Sequence, residues 1–129
     1  MEKYNLIAAW IGVLLGLASG VIMGLCFQKE HWLGGYNSWE RRLIRLGHIS
    51  FFGIAFLNFA FVGTVAYLHI TAADLAIPSK LFILTQIAMP LVCFLAAYRK
   101  WFRHLFFIPV LSALGAAGTF IITLQGVMK

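Results

Sequence analysis

Residues 5–27 read NLIAAWIGVLLGLASGVIMGLCF, a stretch that contains no Asp, Glu, Lys or Arg. An α-helix needs about 20 predominantly apolar residues to cross the hydrocarbon core of a membrane. The stretch is also longer than the apolar core of a cleaved signal peptide, which has roughly 7–15 residues. We therefore interpret it as a retained helix that spans a membrane.

The rest of the chain repeats this pattern in stretches that are equally free of acidic residues, Lys and Arg: residues 46–70, 81–98 and 105–127. Short linkers between such helices make neighbours antiparallel. Hydrophobic residues make up 62% of the chain and charged residues 11%, whereas about 25% are charged in soluble domains. The sequence predicts an all-α integral membrane protein of one domain, residues 1–129, built as an up-down-up-down bundle of four transmembrane helices.

The acidic residues lie outside these four stretches, at Glu2, Glu30, Glu40 and Asp74. A carboxylate inside a span is the usual mark of a proton relay or a cation pathway. The histidines lack close metal-binding spacing, and no nucleotide-binding loop, paired-carboxylate site or Ser-His-Asp arrangement is present. We expect no metal site, and we favour a non-catalytic role while leaving an enzyme activity open.

The basic residues predict the orientation of the chain in the membrane. The first and third linkers carry seven of the ten: Lys29, Arg41, Arg42, Arg45, Arg99, Lys100 and Arg103. Cytoplasmic loops are enriched in Lys and Arg, so we expect both linkers in the cytoplasm and both termini outside a bacterial cell membrane. The net charge of +6 then indicates a basic rim that attracts anionic lipid, not nucleic acid.

A ladder of glycines follows the first stretch, with Gly12, Gly16, Gly20 and Gly24 at every fourth residue. This spacing places them on one helix face, where missing side chains let another backbone approach closely. The pattern predicts a glycine zipper that serves as a helix-packing interface. It packs either against another helix of the same chain or against a second copy or partner subunit in a homo- or hetero-oligomer.

Basic residues and histidines gather near the predicted cytoplasmic side. Arg41, Arg45 and His48 share one face at offsets of four and three residues, and Arg103 and His104 precede the fourth span. Two facing histidines can supply both axial ligands of a b-type haem, while arginines pair with its propionates. The same residues can hold a quinone head or an anionic lipid, or they can serve structure alone.

Polar side chains inside the spans are represented chiefly by Asn58 and Gln86. Such groups usually join helices through hydrogen bonds worth about 0.6–2 kcal/mol, and a ligand pocket is the alternative. The leading hypothesis for function is a non-catalytic subunit or scaffold of a membrane complex. Two others stay open, a redox module that binds haem b or a quinone near the cytoplasmic side and a small-molecule carrier.

Overall fold

The computed structural model describes residues 2–71 and 75–129 of the chain. Within these ranges the α-helices are α1 (Glu2–Phe27), α2 (Trp39–Tyr67), α3 (Ala76–Tyr98) and α4 (Phe107–Val127). Each of these four segments is long and apolar enough to span a membrane. The predicted all-α class and the four span-length helices are therefore confirmed. Short 3-10 helices, Trp32–Gly34 and Lys100–Phe106, occupy the first and third linkers.

Helix α2 begins at Trp39, well before the apolar stretch that starts at residue 46. The side chain of Ser38 caps it by accepting a hydrogen bond from the backbone N–H of Arg41 at 3.1 Å. Glu40 lies in the first turn, where a negative charge suits the helix dipole. The helix ends at Tyr67, and His69 adopts a φ of 50°, which no continuing right-handed helix tolerates.

The helices pack in sequence order, with α2 against α1 and α3, and with α4 against α3. Contacts between α1 and α2 run in antiparallel order: Ser19, late in α1, meets His48, early in α2, while Asn5 meets Asn58. An aromatic cluster joins α2, α3 and α4. The centroid of the Phe61 ring lies 5.5 Å from that of Phe82 and 4.8 Å from that of Phe120.

Large apolar side chains cover the outer surfaces of α1 and α4. Exposed examples on these two helices are Leu14, Val21, Leu25, Leu111, Leu114 and Ile122. A water-soluble protein rarely leaves so extensive an apolar surface exposed. This apolar surface and the four span-length helices together indicate a membrane protein.

Candidate functional site

A buried polar network joins α1, α2 and α3. The side-chain amide nitrogen of Asn5 donates to Oδ1 of Asn58 at 2.8 Å and to the backbone carbonyl of Ser79 at 3.1 Å. The hydroxyl of Ser79 donates in return to Oδ1 of Asn5. All three residues are buried, so three helices meet through neutral hydrogen-bonding groups.

The network continues from Asn58 toward the middle of α3. Nδ2 of Asn58 lies 3.1 Å from the carbonyl oxygen of Ile54 and 3.5 Å from that of Phe82. It also lies 3.4 Å from Oε1 of Gln86, whose Nε2 donates to the carbonyl of Phe51 at 3.2 Å. Asn58 and Gln86, the two polar residues selected from the sequence, thus contact each other directly.

Asn5 and Ser79 are members of the network that the sequence patterns do not single out. Asn5 opens the first apolar stretch, and Ser79 follows Pro78 in a helix-start pattern. Polar residues at such positions normally mark the end of a span. In an antiparallel bundle, however, the starts of the first and third helices lie at the same end, and that relation is the signal that pairs them.

Two glycines of the ladder let other side chains of this chain cross α1 closely. A Cβ atom at Gly12 would overlap Nε2 of Gln86 and would lie 2.9 Å from its Cδ. A Cβ atom at Gly16 would lie 2.7 Å from the ring of Phe52. Contacts this short do not occur around real Cβ atoms, so a side chain at either position requires Gln86 or Phe52 to move.

Farther along α1, Gly20 faces the imidazole of His48, whose Cε1 would lie 2.9 Å from an added Cβ. Nδ1 of His48 is within hydrogen-bonding distance of the Ser19 hydroxyl at 2.9 Å. Gly24 has open space around it, with no heavy atom within 4 Å of an added Cβ among the described residues. The chain's own α2 and α3 therefore occupy the surface above Gly12, Gly16 and Gly20.

Arg41 is directed into the first linker. Its guanidinium donates to the backbone carbonyls of Lys29 and Trp32. It also lies over two aromatic rings, 5.3 Å from the centroid of Phe27 and 5.6 Å from that of Trp32. Only 4% of Arg41 is exposed, so this side chain holds the linker against the end of α1.

Arg45 behaves in the same way at the next turn of α2. It donates to the carbonyl of Tyr36 at 3.2 Å, and its guanidinium lies 4.2 Å from the centroid of the Tyr36 ring. His48 contacts Ser19 on α1. The stripe of Arg41, Arg45 and His48 therefore faces α1 and the first linker. Each of the three side chains makes at least one hydrogen bond within the protein.

The other two residues of the predicted cofactor site, Arg103 and His104, lie elsewhere. Arg103 and His104 are exposed residues of the 3-10 helix Lys100–Phe106, which packs against α3 and α4. The structure therefore brings His48 together with Ser19 on α1, while His104 lies on the side of α3 and α4. The exposed basic side chains of the two linkers are Lys29, Arg42, Arg99, Lys100 and Arg103.

Comparison with known proteins provides no family for this chain. No protein-family model matches it, and neither does any curated protein or solved structure.

Proposed function

We propose that this chain is a non-catalytic subunit or scaffold of a membrane complex, with four helices that cross the bilayer in up-down-up-down order. The observation that carries the proposal is the state of its buried polar atoms. Among the described residues, every buried side-chain nitrogen or oxygen has a hydrogen-bond partner within the protein. A satisfied network of this kind rigidifies helix packing, as we expect of a subunit or scaffold.

The orientation in the membrane is part of the proposal. Nε1 of Trp39 donates to the carbonyl of Ala96 at 2.9 Å, which ties the start of α2 to the end of α3. The first and third linkers, with most of the basic residues, thus lie at one end of the helices. By the positive-inside rule this end faces the cytoplasm, and both termini lie outside a bacterial cell membrane.

The exposed basic residues supply a lipid-binding rim at that cytoplasmic end. Arg42, Arg99, Lys100 and Arg103 are exposed, and the aromatic side chains of Tyr98 and Trp101 are exposed beside them. Aromatic rings are enriched at the level of lipid headgroups, and each nearby cation attracts anionic lipid by about 1 kcal/mol. Arg41 and Arg45 contribute little to this rim because the first linker engages both.

Contact with a partner subunit involves the outer faces of α1 and α4. On α1, the exposed residue Leu14 lies opposite the glycine ladder, since its separation of two residues from Gly12 and from Gly16 turns the helix by about 200°. Val21 and Leu25 are also exposed on this helix. This face remains available while Gly12, Gly16 and Gly20 contact the rest of the chain. Oligomerisation through α1 therefore uses its aliphatic side.

Photo-crosslinking in membranes of the cells that make the protein tests the proposal. A photoreactive amino acid is placed singly at Leu14, Leu25, Leu111 or Ile122, all exposed. A subunit or scaffold gives a discrete protein adduct of constant mass from at least one of the two faces. The same amino acid at Phe61, which is 1% exposed, serves as the control that gives no intermolecular adduct. Lipid adducts alone at all four exposed positions contradict the proposal.

A further inference from the structure

A cleft opens sideways between α1 and α3 at the middle of the helices. Its volume is about 390 Å³, within the range of roughly 300–1,000 Å³ typical of small-molecule sites. Its walls include Ile11, Leu15, Phe51, Ile87, Pro90 and Phe94. In a bilayer such an opening faces hydrocarbon, so a ligand arrives through the membrane and must itself be lipid-soluble.

One polar side chain, Gln86, lies in the wall of this otherwise apolar cleft. Its Nε2 rests against Gly12, which also lines the cleft. A primary amide carries two N–H donors, and the described residues supply one acceptor, the carbonyl of Phe51 at 3.2 Å. A ligand in the cleft that carries a hydrogen-bond acceptor would engage the second donor.

The depth of Gln86 in the bilayer restricts which class of ligand can supply the hydrogen-bond acceptor. Within α3 (Ala76–Tyr98), it lies about 15 Å from one end and about 18 Å from the other at 1.5 Å per residue. This is near the middle of a hydrocarbon core about 30 Å thick. The ester carbonyls of a phospholipid stay near the headgroups, so the acceptor belongs to a molecule whose carbonyl itself dissolves in the core.

Two aromatic rings shape the same cleft. Phe51 and Phe94 have ring centroids 6.0 Å apart and planes inclined at 41°, and both line the opening with Pro90. Flat rings pack favourably on aromatic faces and edges. A planar ligand head that bears a carbonyl satisfies both the aromatic wall and the free amide hydrogen.

We propose that the α1–α3 cleft binds a lipid-soluble quinone, with a ring carbonyl accepting a hydrogen bond from Gln86 and the apolar tail passing outward between α1 and α3. The site is distinct from the basic rim, and it holds whether or not the chain is a subunit of a complex. Binding is the whole of the proposal, and it assigns no electron transfer to the protein.

An azido derivative of decylubiquinone, photoactivated on the full-length protein in mild detergent, tests this site. The label is expected on residues 8–15 and 86–94, with labelling suppressed by excess decylubiquinone but not by decylbenzene, which has the tail and no carbonyl. Ile87→Trp fills the opening from an exposed position and should weaken labelling by at least about tenfold. Gln86→Met should weaken it by about three- to tenfold through loss of one hydrogen bond.

The matched control is Ile77→Trp, which adds the same bulk at an exposed site in the groove between α3 and α4 and should leave labelling unchanged. Circular dichroism and gel filtration show whether each variant is folded. If Gln86→Met does not fold, Ile87→Trp still decides the test. Label spread evenly over the lipid-facing residues of α1 and α4 contradicts the proposal. Equal competition by decylbenzene, or full labelling of Ile87→Trp, also contradicts it.

Discussion

Nδ2 of Asn5 donates a hydrogen bond to Oδ1 of Asn58 at 2.8 Å across the α1–α2 interface, and neither side chain is exposed. Burying an amide without a hydrogen-bond partner costs free energy. The contact between the two asparagines therefore stabilises the packing of α1 against α2. Ser79 closes this contact from α3 through two hydrogen bonds to Asn5. The three helices are therefore fixed in register by a few neutral polar atoms.

Replacing Asn58 with Leu should lower the free energy of unfolding by about 1–3 kcal/mol, because Asn5 and Gln86 lose a buried partner. Unfolding by sodium dodecyl sulfate, followed by circular dichroism in mixed micelles, measures this change. Thr64→Val is the matched control, since that hydroxyl bonds the carbonyl of Ala60 within its own helix. Equal midpoints for the two variants would show that the network does not stabilise the packing.

A double-mutant cycle isolates the Asn5–Asn58 contact itself. Asn5→Ala and Asn58→Ala, alone and combined, should show a coupling energy of about 0.6–1.7 kcal/mol, the range for interhelical hydrogen bonds in membranes. The same unfolding titration provides all four free energies. Strict additivity of the two single changes would contradict a direct hydrogen bond.

The glycine ladder offers a comparison within one helix. Gly12→Ala should destabilise the protein by about 1–3 kcal/mol because the new methyl group overlaps the Gln86 amide. Gly24→Ala should be neutral or stabilising by up to about 1 kcal/mol, since its surroundings are open and Ala favours helix. Unfolding midpoints for both variants check this difference, and similar values would argue against a close approach at Gly12.

Arg41 and Arg42 are adjacent in sequence but opposite in environment, since the first is buried and the second exposed. Arg41→Gln should loosen the first linker because the carbonyls of Lys29 and Trp32 lose their hydrogen bonds from the guanidinium. Chymotrypsin should then cut faster after Trp32, Leu33 or Tyr36. Arg42→Gln should be digested at the rate of the original protein, and equal rates for both variants would exclude the proposed role of Arg41.

Lipid binding at the basic rim should depend on the exposed arginines and not on those that the first linker engages. Native mass spectrometry of protein extracted from membranes should show fewer retained anionic lipids when Arg42 and Arg103 are both changed to Gln. Arg45→Gln should retain them, because Arg45 already engages Tyr36. Loss of lipid from the Arg45 variant alone would reverse the assignment of the rim.

The helices and the polar residues of this fold differ in how far sequence predicts them. Hydropathy identifies four long apolar segments because a span must be apolar along its whole length. Asn37 and Ser38 are both of residue types that favour helix caps, and the structure shows Ser38 in that role. The second apolar stretch runs to residue 70, whereas α2 ends at Tyr67. Hydropathy cannot detect the left-handed conformation of His69 that follows this end.

The stripe of Arg41, Arg45 and His48 illustrates that sequence patterns do not predict the contact partners of a residue. Its common face follows from helical spacing, but its partners depend on how the first linker folds back. Backbone carbonyls of that linker engage both arginines, and backbone carbonyls have no signature in sequence. Sequence patterns therefore do not separate ligand roles from structural ones at these positions.

The proposed arrangement in the membrane is tested most directly by labelling positions at the two ends of α2. In a variant with Cys26 and Cys93 changed to Ala, single cysteines are introduced at Asn37 and at Thr71, which are both exposed and lie just beyond opposite ends of this helix. A membrane-impermeant thiol reagent is then applied to intact bacterial cells. We expect labelling at Thr71→Cys, and labelling at Asn37→Cys only after lysis. The reverse pattern would contradict the orientation, and equal labelling of both in intact cells would contradict a membrane-spanning α2.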